Sequence, residues 1–401
     1  MDIDFEDSVG AVDAPTVVKL LPTRPRLLAL GEPVHGERAP LDVRNELFRE
    51  LIEQEGYRTV AVESDCLRGL VVDDYVTSGR GTLDAVMAQG FSHGFGAFAA
   101  NRELVRWMRA HNEGRPASER IRFAGFDGPL EMTGAASPRQ ALAALHAYLA
   151  DHGDADLLPC TADALDRLLG PDDRWTEPGA MRDASRSVGR SAGATELRVL
   201  ADDLVAVLDA QAPRLITAAS REDWDRARLY GRTATGLLRY HYWMADPSPN
   251  RMGRLLGLRD AIMAENLLAL TERGPVLAFA HNGHLERGES RWRLPDRPEP
   301  LRWWGAGALA SARLGAEYAF LATALGTVRH RGVGAPEPDS VEGLLYALDR
   351  DRCLVDAPVL AAALGAARIV TRTSPHFYAP LDPDRLADLD GILFLKDVPR
   401  S

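Results

Sequence analysis

Two histidine-bearing segments carry the clearest chemistry in the sequence. His35 sits in Gly31-Glu32-Pro33-Val34-His35-Gly36-Glu37, with Glu32 three residues before it. An imidazole can take a proton from water near neutral pH, and a carboxylate beside it orients the ring and raises its basicity. The glycines around it suit a backbone that turns tightly. His281 and His284 form a His-x-x-His pair. That spacing puts two imidazoles on one face if a helical turn begins there, where they can hold a metal or stabilise an oxyanion. Plainer readings stand beside these: a loop histidine bonded to backbone, and a turn whose histidines cap backbone groups. Glu63 and Asp127 also carry two readings, as site carboxylates or as helix caps. Arg44 offers a fixed charge to a carbonyl or carboxylate, or is a solvated helix residue.

These residues share a position relative to the elements around them. Four short apolar runs, at 26–30, 58–62, 121–126 and 275–280, each end in ionisable residues. Each run has the length and composition of a fully buried strand. Helical patterns lie between them; residues 40–55 place Leu47, Phe48, Leu51 and Ile52 on one stripe, and Gly56 supplies a stop. Alternating strands and helices predict a parallel sheet, and ligands bind beyond the carboxyl ends of such strands. Glu32, His35, Glu63, Asp127, His281 and His284 all fall there.

The middle of the chain differs. From about 137 to 273 it reads as helices, with a start at Ser137-Pro138, a loop-rich stretch at 160–195, and helices at 196–219, 221–244 and about 252–272. Beyond it, 300–314 reads as helix and 317–323 and 391–397 as strands. The expected fold is α/β: a parallel-rich central sheet flanked by helices, with residues 1–136 and 251–401 forming the core and 137–250 a helical insertion that walls or caps a pocket.

Composition narrows the chemistry. The chain has 401 residues, 26% charged and 46% hydrophobic, a globular balance. A net charge of −11 argues against nucleic acid as a partner. Of 47 basic residues only Lys19 and Lys396 are lysines, and neither follows a GxxxxG loop, which counts against Schiff-base and P-loop chemistry. Cys66, Cys160 and Cys353 are scattered and odd in number, so neither a disulfide frame nor a Cys-rich zinc site is expected. The acidic opening and the lack of an apolar run of about 18 residues predict a cytoplasmic protein without a membrane span. Gly90-Phe91-Ser92-His93-Gly94 matches GxSxG, but the preceding residues read as a helix capped by Thr82, whereas a nucleophile elbow needs a strand there. This Gly/Phe-rich loop is better read as a pocket edge, with Phe91 and His93, and also Asp127 and Asn282, facing substrate. HExxH, CxxC and GxGxxG patterns are absent.

GEPVHGE with Arg44, followed by AVESD, resembles the N-terminal motifs of the erythromycin esterase family. RDAIMAENLLAL (259–270) with AFAHNGH (278–284) resembles that family's most distinctive stretch, and 103–112 and 303–326 are also similar. The resemblance covers most of the chain in order and is weakest over about 150–225. It implies a macrolactone-opening or related ester hydrolase that uses an activated water rather than an acyl-enzyme. His35 matches the family's general base; Glu32, Arg44, Glu63, His281 and His284 match the rest of its catalytic set. Pro33-Val34 replaces a commoner Gly-Thr, and the GFSHGFGAF loop resembles that of a subgroup; both bear on the pocket rim and so on a macrolide as substrate.

The expected function is hydrolysis of an ester or lactone in a macrolide or other natural product, an antibiotic-resistance type of activity, with no cofactor. Arg44 and His281 or His284 polarise the carbonyl, and Glu63 holds Arg44 or a histidine. The main alternative adds a divalent metal on Glu32, His35, Glu63, His281 and His284, all competent ligands; the fold is also similar to that of Tiki-type metalloproteases. Further alternatives are elimination, cyclisation or acyl transfer on a natural product, and ligand capture without turnover. The sequence predicts no oligomeric state.

Overall fold

The computed structural model describes residues 5, 8–131, 134–293, 299–365, 367–375 and 377–400. The strands are β1 (Val9–Gly10), β2 (Leu27–Glu32), β3 (Thr59–Asp65), β4 (Arg122–Asp127), β5 (Leu130–Glu131), β6 (Gly134–Ala135), β7 (Val276–His281), β8 (Glu289–Trp292), β9 (Leu301–Trp304), β10 (Tyr318–Thr327), β11 (Arg352–Asp356) and β12 (Gly391–Asp397). Eight of them form one sheet in the order β1-β11-β12-β10-β2-β7-β3-β4. From β12 to β4 every pairing is parallel, while β11 runs antiparallel to both β12 and β1. The fold is therefore α/β with a mostly parallel central sheet flanked by helices.

The continuous apolar runs follow from burial on both faces. In β2, Leu28 and Leu30 enter one core cluster and Leu27 and Ala29 another; in β7, Leu277 and Phe279 join the first, and Val276, Ala278 and Ala280 the second. Side chains alternate across the sheet with period two, so a strand covered by helices on both sides must be apolar throughout. The helix Arg38–Glu55 stops at Gly56, which takes the left-handed φ of 67° that glycine tolerates. Asp65 at the end of β3 caps the next helix, Cys66–Ser78, accepting from Leu67 and Arg68 N. The capping role at this strand end thus falls to Asp65 and leaves Glu63 for other partners.

Between β6 and β7 come the helices Arg139–His152, Ala162–Leu169, Ala192–Ala210, Ala212–Ala218, Arg221–Met244 and Arg251–Thr271. Those before residue 245 build their own apolar cluster, with Leu142, Leu145, Leu204 and Leu238 buried together. The expected helix over 300–314 is corrected. Residues Leu301–Trp304 are strand, paired antiparallel with β8, and the helix begins at Ala306. Tryptophans at 303 and 304 favour the pleated strand, and Gly305 separates it from the Ala-rich helix. The loop-rich stretch 160–195 also contains the short helix Ala162–Leu169, capped by Thr161.

The connectivity places a crevice. From β2 the chain moves through β3 to β4 on one side, and from β7 through β10 to β12 on the other. Neighbouring connections therefore diverge at β2 and β7, and a ligand site is expected beyond their carboxyl ends. Among the described residues, no helix is long and apolar enough to cross a membrane.

Candidate active site

β2 and β7 pair in register, with Glu32 opposite His281, and β3 flanks β7 on its other side. Three adjacent strand ends thus bring Glu32, His281 and Glu63 together, and the following turns add His35 and His284. His35 Nδ1 lies 2.8 Å from Glu32 Oε1, and its Nε2 lies 3.9 Å from Glu63 Oε2. The His35 ring is 5.3 Å from that of His281 and 5.4 Å from that of Phe95. The His35 side chain is 39% exposed, against 3% for Glu32 and 4% for Glu63, so solvent reaches the imidazole and not its carboxylates. Later segments pin this loop: Arg331 donates to the His35 carbonyl and Ala379 N to the Pro33 carbonyl, both at 2.8 Å.

Glu63 is the hub. Its Oε2 accepts from His281 N at 2.9 Å, and its Oε1 accepts from Arg259 Nη2 at 3.2 Å and lies 3.3 Å from His284 Nε2. Asp260 holds the other side of His284, with Oδ1 2.7 Å from Nδ1, and itself accepts from Trp303 and from Ala306 N. Arg259 also grips Asp127, at 2.6 Å from Nη2 to Oδ2. Asp127 in turn lies 3.1 Å from His93 Nε2, and His93 Nδ1 is 2.7 Å from Glu131. His93 adopts a φ of 54°, uncommon for a residue with a side chain. Phe95 stands between the two histidines, 5.4 Å from His35 and 5.6 Å from His93.

These contacts set the charges. Burial works against an ionised Glu63, but His284 and His35 hold its carboxyl well below the usual carboxylate range. Burial likewise opposes protonation of His35, yet Glu63 and Glu32 raise it above the ordinary imidazole value. Burial raises Glu32, against the pull of His35 and of Arg44. For His284, burial is outweighed by Asp260 and Glu63, and its pKa rises to about 10. His281, buried and beside His35, falls to about 4. At neutral pH His284 is therefore a cation and His281 is neutral. Gly283 N donates to His281 Nδ1 at 3.2 Å, which leaves the proton of the neutral ring on Nε2. The Pro33 carbonyl is the backbone acceptor facing this ring.

The remaining residues nominated from sequence lie elsewhere. Arg44 is wholly buried; its guanidinium donates to Asn45 and Asn101 and lies 4.9 Å from the centre of the Phe279 ring. Its Nη1 and Glu32 Oε2 are buried without hydrogen-bond partners among the described residues. Of the two groups expected for Glu63, the structure pairs it with a histidine, and its arginine partner is Arg259 instead of Arg44. Asn282 is spent on β10, donating to Thr323 O at 2.9 Å and accepting from Thr323 N at 3.2 Å. Phe91 is buried against Phe123, 5.4 Å between ring centres. Ser92 follows a helix, and its hydroxyl accepts from Asp65 N at 2.8 Å, as a structural residue would.

Arg259, Asp260 and Phe95 were not singled out from sequence. The adjacent Arg and Asp in the helix that leads into the His-x-x-His strand were the available signal. Beside His93 a cleft of about 770 Å³ opens, lined by Ser92, Glu131 and Leu130 of the core, by Pro178 and Met181 of the helical segment, and by Met252. Among the described residues, His, Cys, Asp and Glu form no group of three that could hold a metal. Of the five residues weighed as metal ligands, His35, Glu63 and His284 aim polar atoms at one another, at Glu32, at Arg259 or at Asp260, while the His281 ring faces Gly283 N and the Pro33 carbonyl.

A family model described as erythromycin esterase matches residues 52–398. Among solved structures, a Bacillus cereus protein aligns over 95% of this chain and 90% of its own, with 16% identity and a TM-score of 0.71. A succinoglycan biosynthesis protein aligns over 98% and 95%, with 14% identity and a TM-score of 0.66. The erythromycin esterase mutant EreC in its open conformation aligns over 96% and 94%, with 16% identity and a TM-score of 0.66. At these identities the likenesses show a shared fold.

Proposed function

The chain belongs to the erythromycin esterase family, and from that premise we propose that it hydrolyses a carboxylic ester or lactone with a water activated by His35. The observation that carries this reading is the placing of His35, with Nδ1 on Glu32 at 2.8 Å and Nε2 facing a Glu63 oxygen at 3.9 Å. Glu32 fixes the proton of the neutral ring on Nδ1 and leaves Nε2 as the base. One water can hydrogen-bond to both Nε2 and the Glu63 oxygen, since the gap is shorter than two bonds of about 2.8 Å each.

In the proposed reaction Nε2 takes a proton from that water as its oxygen forms a bond to the ester carbonyl carbon. The carbonyl π pair moves onto oxygen, where the His281 Nε2–H donates to it in place of the Pro33 carbonyl. His281 suits this role because it stays neutral and so keeps a hydrogen bond without drawing away the Glu63 charge. On collapse the C–O bond to the alcohol breaks, and the imidazolium returns its proton to the leaving oxygen. Glu63 stabilises the imidazolium while it exists. The buried Arg44 acts as a positioning residue that helps Glu32 keep its charge, and so does not polarise the carbonyl itself.

The cleft at Ser92 and Glu131, the chain neighbour and the ion-pair partner of His93, adjoins the catalytic cluster without being lined by His35 or His281, and its 770 Å³ gives room for the bulky part of a substrate. A macrolactone or another cyclic natural-product ester fits that size. The deciding experiment runs turnover of a macrolide and of simpler aryl esters in heavy-oxygen water, after dialysis against EDTA. Hydrolysis through a free water places one heavy oxygen in the acid product and none in the protein. A product isomeric with its substrate, a labelled protein carboxylate, or loss of activity restored by a divalent metal would overturn the reading.

A further inference from the structure

The β4 edge of the sheet holds a cavity of about 240 Å³. Its wall runs from Thr59 and Arg122, where β3 and β4 begin, to Cys66 and Gly125 near their far ends, beneath the helices Cys66–Ser78, Arg221–Met244 and Arg251–Thr271. Seven arginines line it against three carboxylates. The carboxylates are all taken: Asp73 and Glu222 pair with Arg122, and Asp225 lies 2.6 Å from Arg273. Arg226 and Arg228 pair with Asp74 and Glu272, which lie outside the lining. Among the described residues, no carboxylate lies within ion-pair distance of the other three, Arg58, Arg120 and Arg232.

Arg232 is the informative one. Its hydrogen bond runs from Nε to Asn266 Oδ1 at 3.2 Å, and its two terminal nitrogens have no partner among the described residues. Burial and the neighbouring Arg228 push its guanidinium below its ordinary value. A half-buried cation without a counter-charge is a ready anion partner, and a free guanidinium fork matches the two oxygens of a carboxylate or phosphate. Much of the remaining wall is apolar, from Leu70, Phe123, Leu229 and Leu270. Arg58 is exposed and Arg120 half-buried, so the charge continues toward solvent.

We propose that this cavity is a second ligand site that takes a small organic anion, its carboxylate or phosphate paired with Arg232 and its apolar body against Leu229 and Leu270. The site shares no lining residue with the catalytic cluster. Thr59 and Glu63 are four positions, roughly 13 Å, apart along β3, and the wall comes nearest the cluster at Gly125, two residues before Asp127.

Isothermal titration calorimetry on the full chain tests this with octanoate, octyl phosphate, octanol and inorganic phosphate. Both octyl anions should saturate one site with a Kd at or below about 1 mM. Octanol and inorganic phosphate should bind at least about tenfold more weakly. Arg232→Met should weaken both anions by at least about tenfold. Ala269→Leu, which fills the cavity and leaves every charge in place, should do the same, and a thermal melt of each variant establishes that it is folded. Should Arg232→Met fail to fold, Ala269→Leu decides. Binding should be unchanged in His35→Ala. Anion affinity that survives in a folded cavity variant, affinity lost in His35→Ala, octanol binding as tightly as the anions, or no saturable anion binding would each overturn the proposal.

Discussion

Oε1 of Glu63 lies 3.3 Å from Nε2 of His284, and this contact divides two tasks between histidines that share one carboxylate. His284, held on its other side by Asp260, keeps its proton up to a pKa of about 10 and acts as stored positive charge. His35 faces the second oxygen of Glu63 and is open to solvent, so it is the member able to exchange a proton with water. Environments that push the pKa values of neighbouring groups apart are how one site assigns different protonation duties.

Replacing the proposed base gives the most direct check. His35→Ala should lower kcat at least about 100-fold on any true ester substrate. KM should change far less, because the lost interaction belongs to the transition state. Steady-state kinetics with circular dichroism as a folding control measure both, and near-normal turnover would remove His35 from the reaction.

The pH profile should carry the mark of Glu32. A general base must be unprotonated, so kcat/KM rises with pH through the His35 pKa, which lies above 6.5 in the folded protein. Glu32 contributes to that rise. Glu32→Gln should therefore move the acidic limb to lower pH and lower the plateau by about tenfold. A limb that stays where it was would mean that another group titrates.

Asp260→Asn should act mainly on stability. A histidine whose folded pKa is raised contributes stability that is fully present below its unfolded value, near 6.5, and lost as pH rises through about 10. Wild type should lose stability across that window. The variant should be about 3 kcal/mol less stable at neutral pH and lose less on the way up. Urea unfolding at several pH values reads this, and parallel curves of equal height would contradict it.

Arg259→Gln leaves Asp127 and Glu63, both buried, without their shared cation. The cost should be about 3–5 kcal/mol at neutral pH. In wild type both carboxyls are held low, so their contribution is present above the unfolded values and lost as pH falls. The variant raises those pKa values, and its deficit relative to wild type should shrink as pH drops below about 5. A deficit independent of pH would show that Arg259 acts through packing instead.

Gly31→Ala tests how tightly the strand ends are joined. A Cβ there would lie 2.0 Å from Asn282 Oδ1 and 3.1 Å from Asn282 Cα. The substitution should cost about 1–3 kcal/mol. Combined with Asn282→Ala it should cost less than the two single changes together, because the colliding oxygen is gone. Strict additivity would indicate that the strands absorb the methyl without moving Asn282.

Much of the frame was legible because it is written locally. The runs at β2, β3 and β7 are apolar without a break, that at β4 is interrupted only by Arg122, and all four end in ionisable residues, which states both their burial and the side on which a site can form. β12 was readable in full as GILFLKD. β11 and the β8–β9 hairpin were not, being short; Leu301–Trp304 also runs straight into an Ala-rich helix with only Gly305 between. Within the site, what sequence hid was direction. Whether Arg44, Phe91 or Asn282 faces a ligand or the interior depends on which neighbour packs against it. Arg259 and Asp260 are consecutive, yet one serves Glu63 and Asp127 and the other His284 and Trp303. No spacing within a helix announces partners that lie on other strands.

The place of β7 in the sheet also bears on how the chain is made. β2 and β3 do not pair with each other; β7 lies between them and leaves the ribosome more than two hundred residues after β3. Until it arrives, a growing chain carries two apolar strands with open hydrogen-bonding edges, while the intervening helices can already gather around their own cluster. Strand insertion at such separation is slow, because the loop must close before any pairing is gained. Translation arrest before residue 276 should therefore yield an aggregation-prone, chaperone-dependent chain, whereas release after β7 lets Glu32, Glu63 and His281 meet in a single closing step.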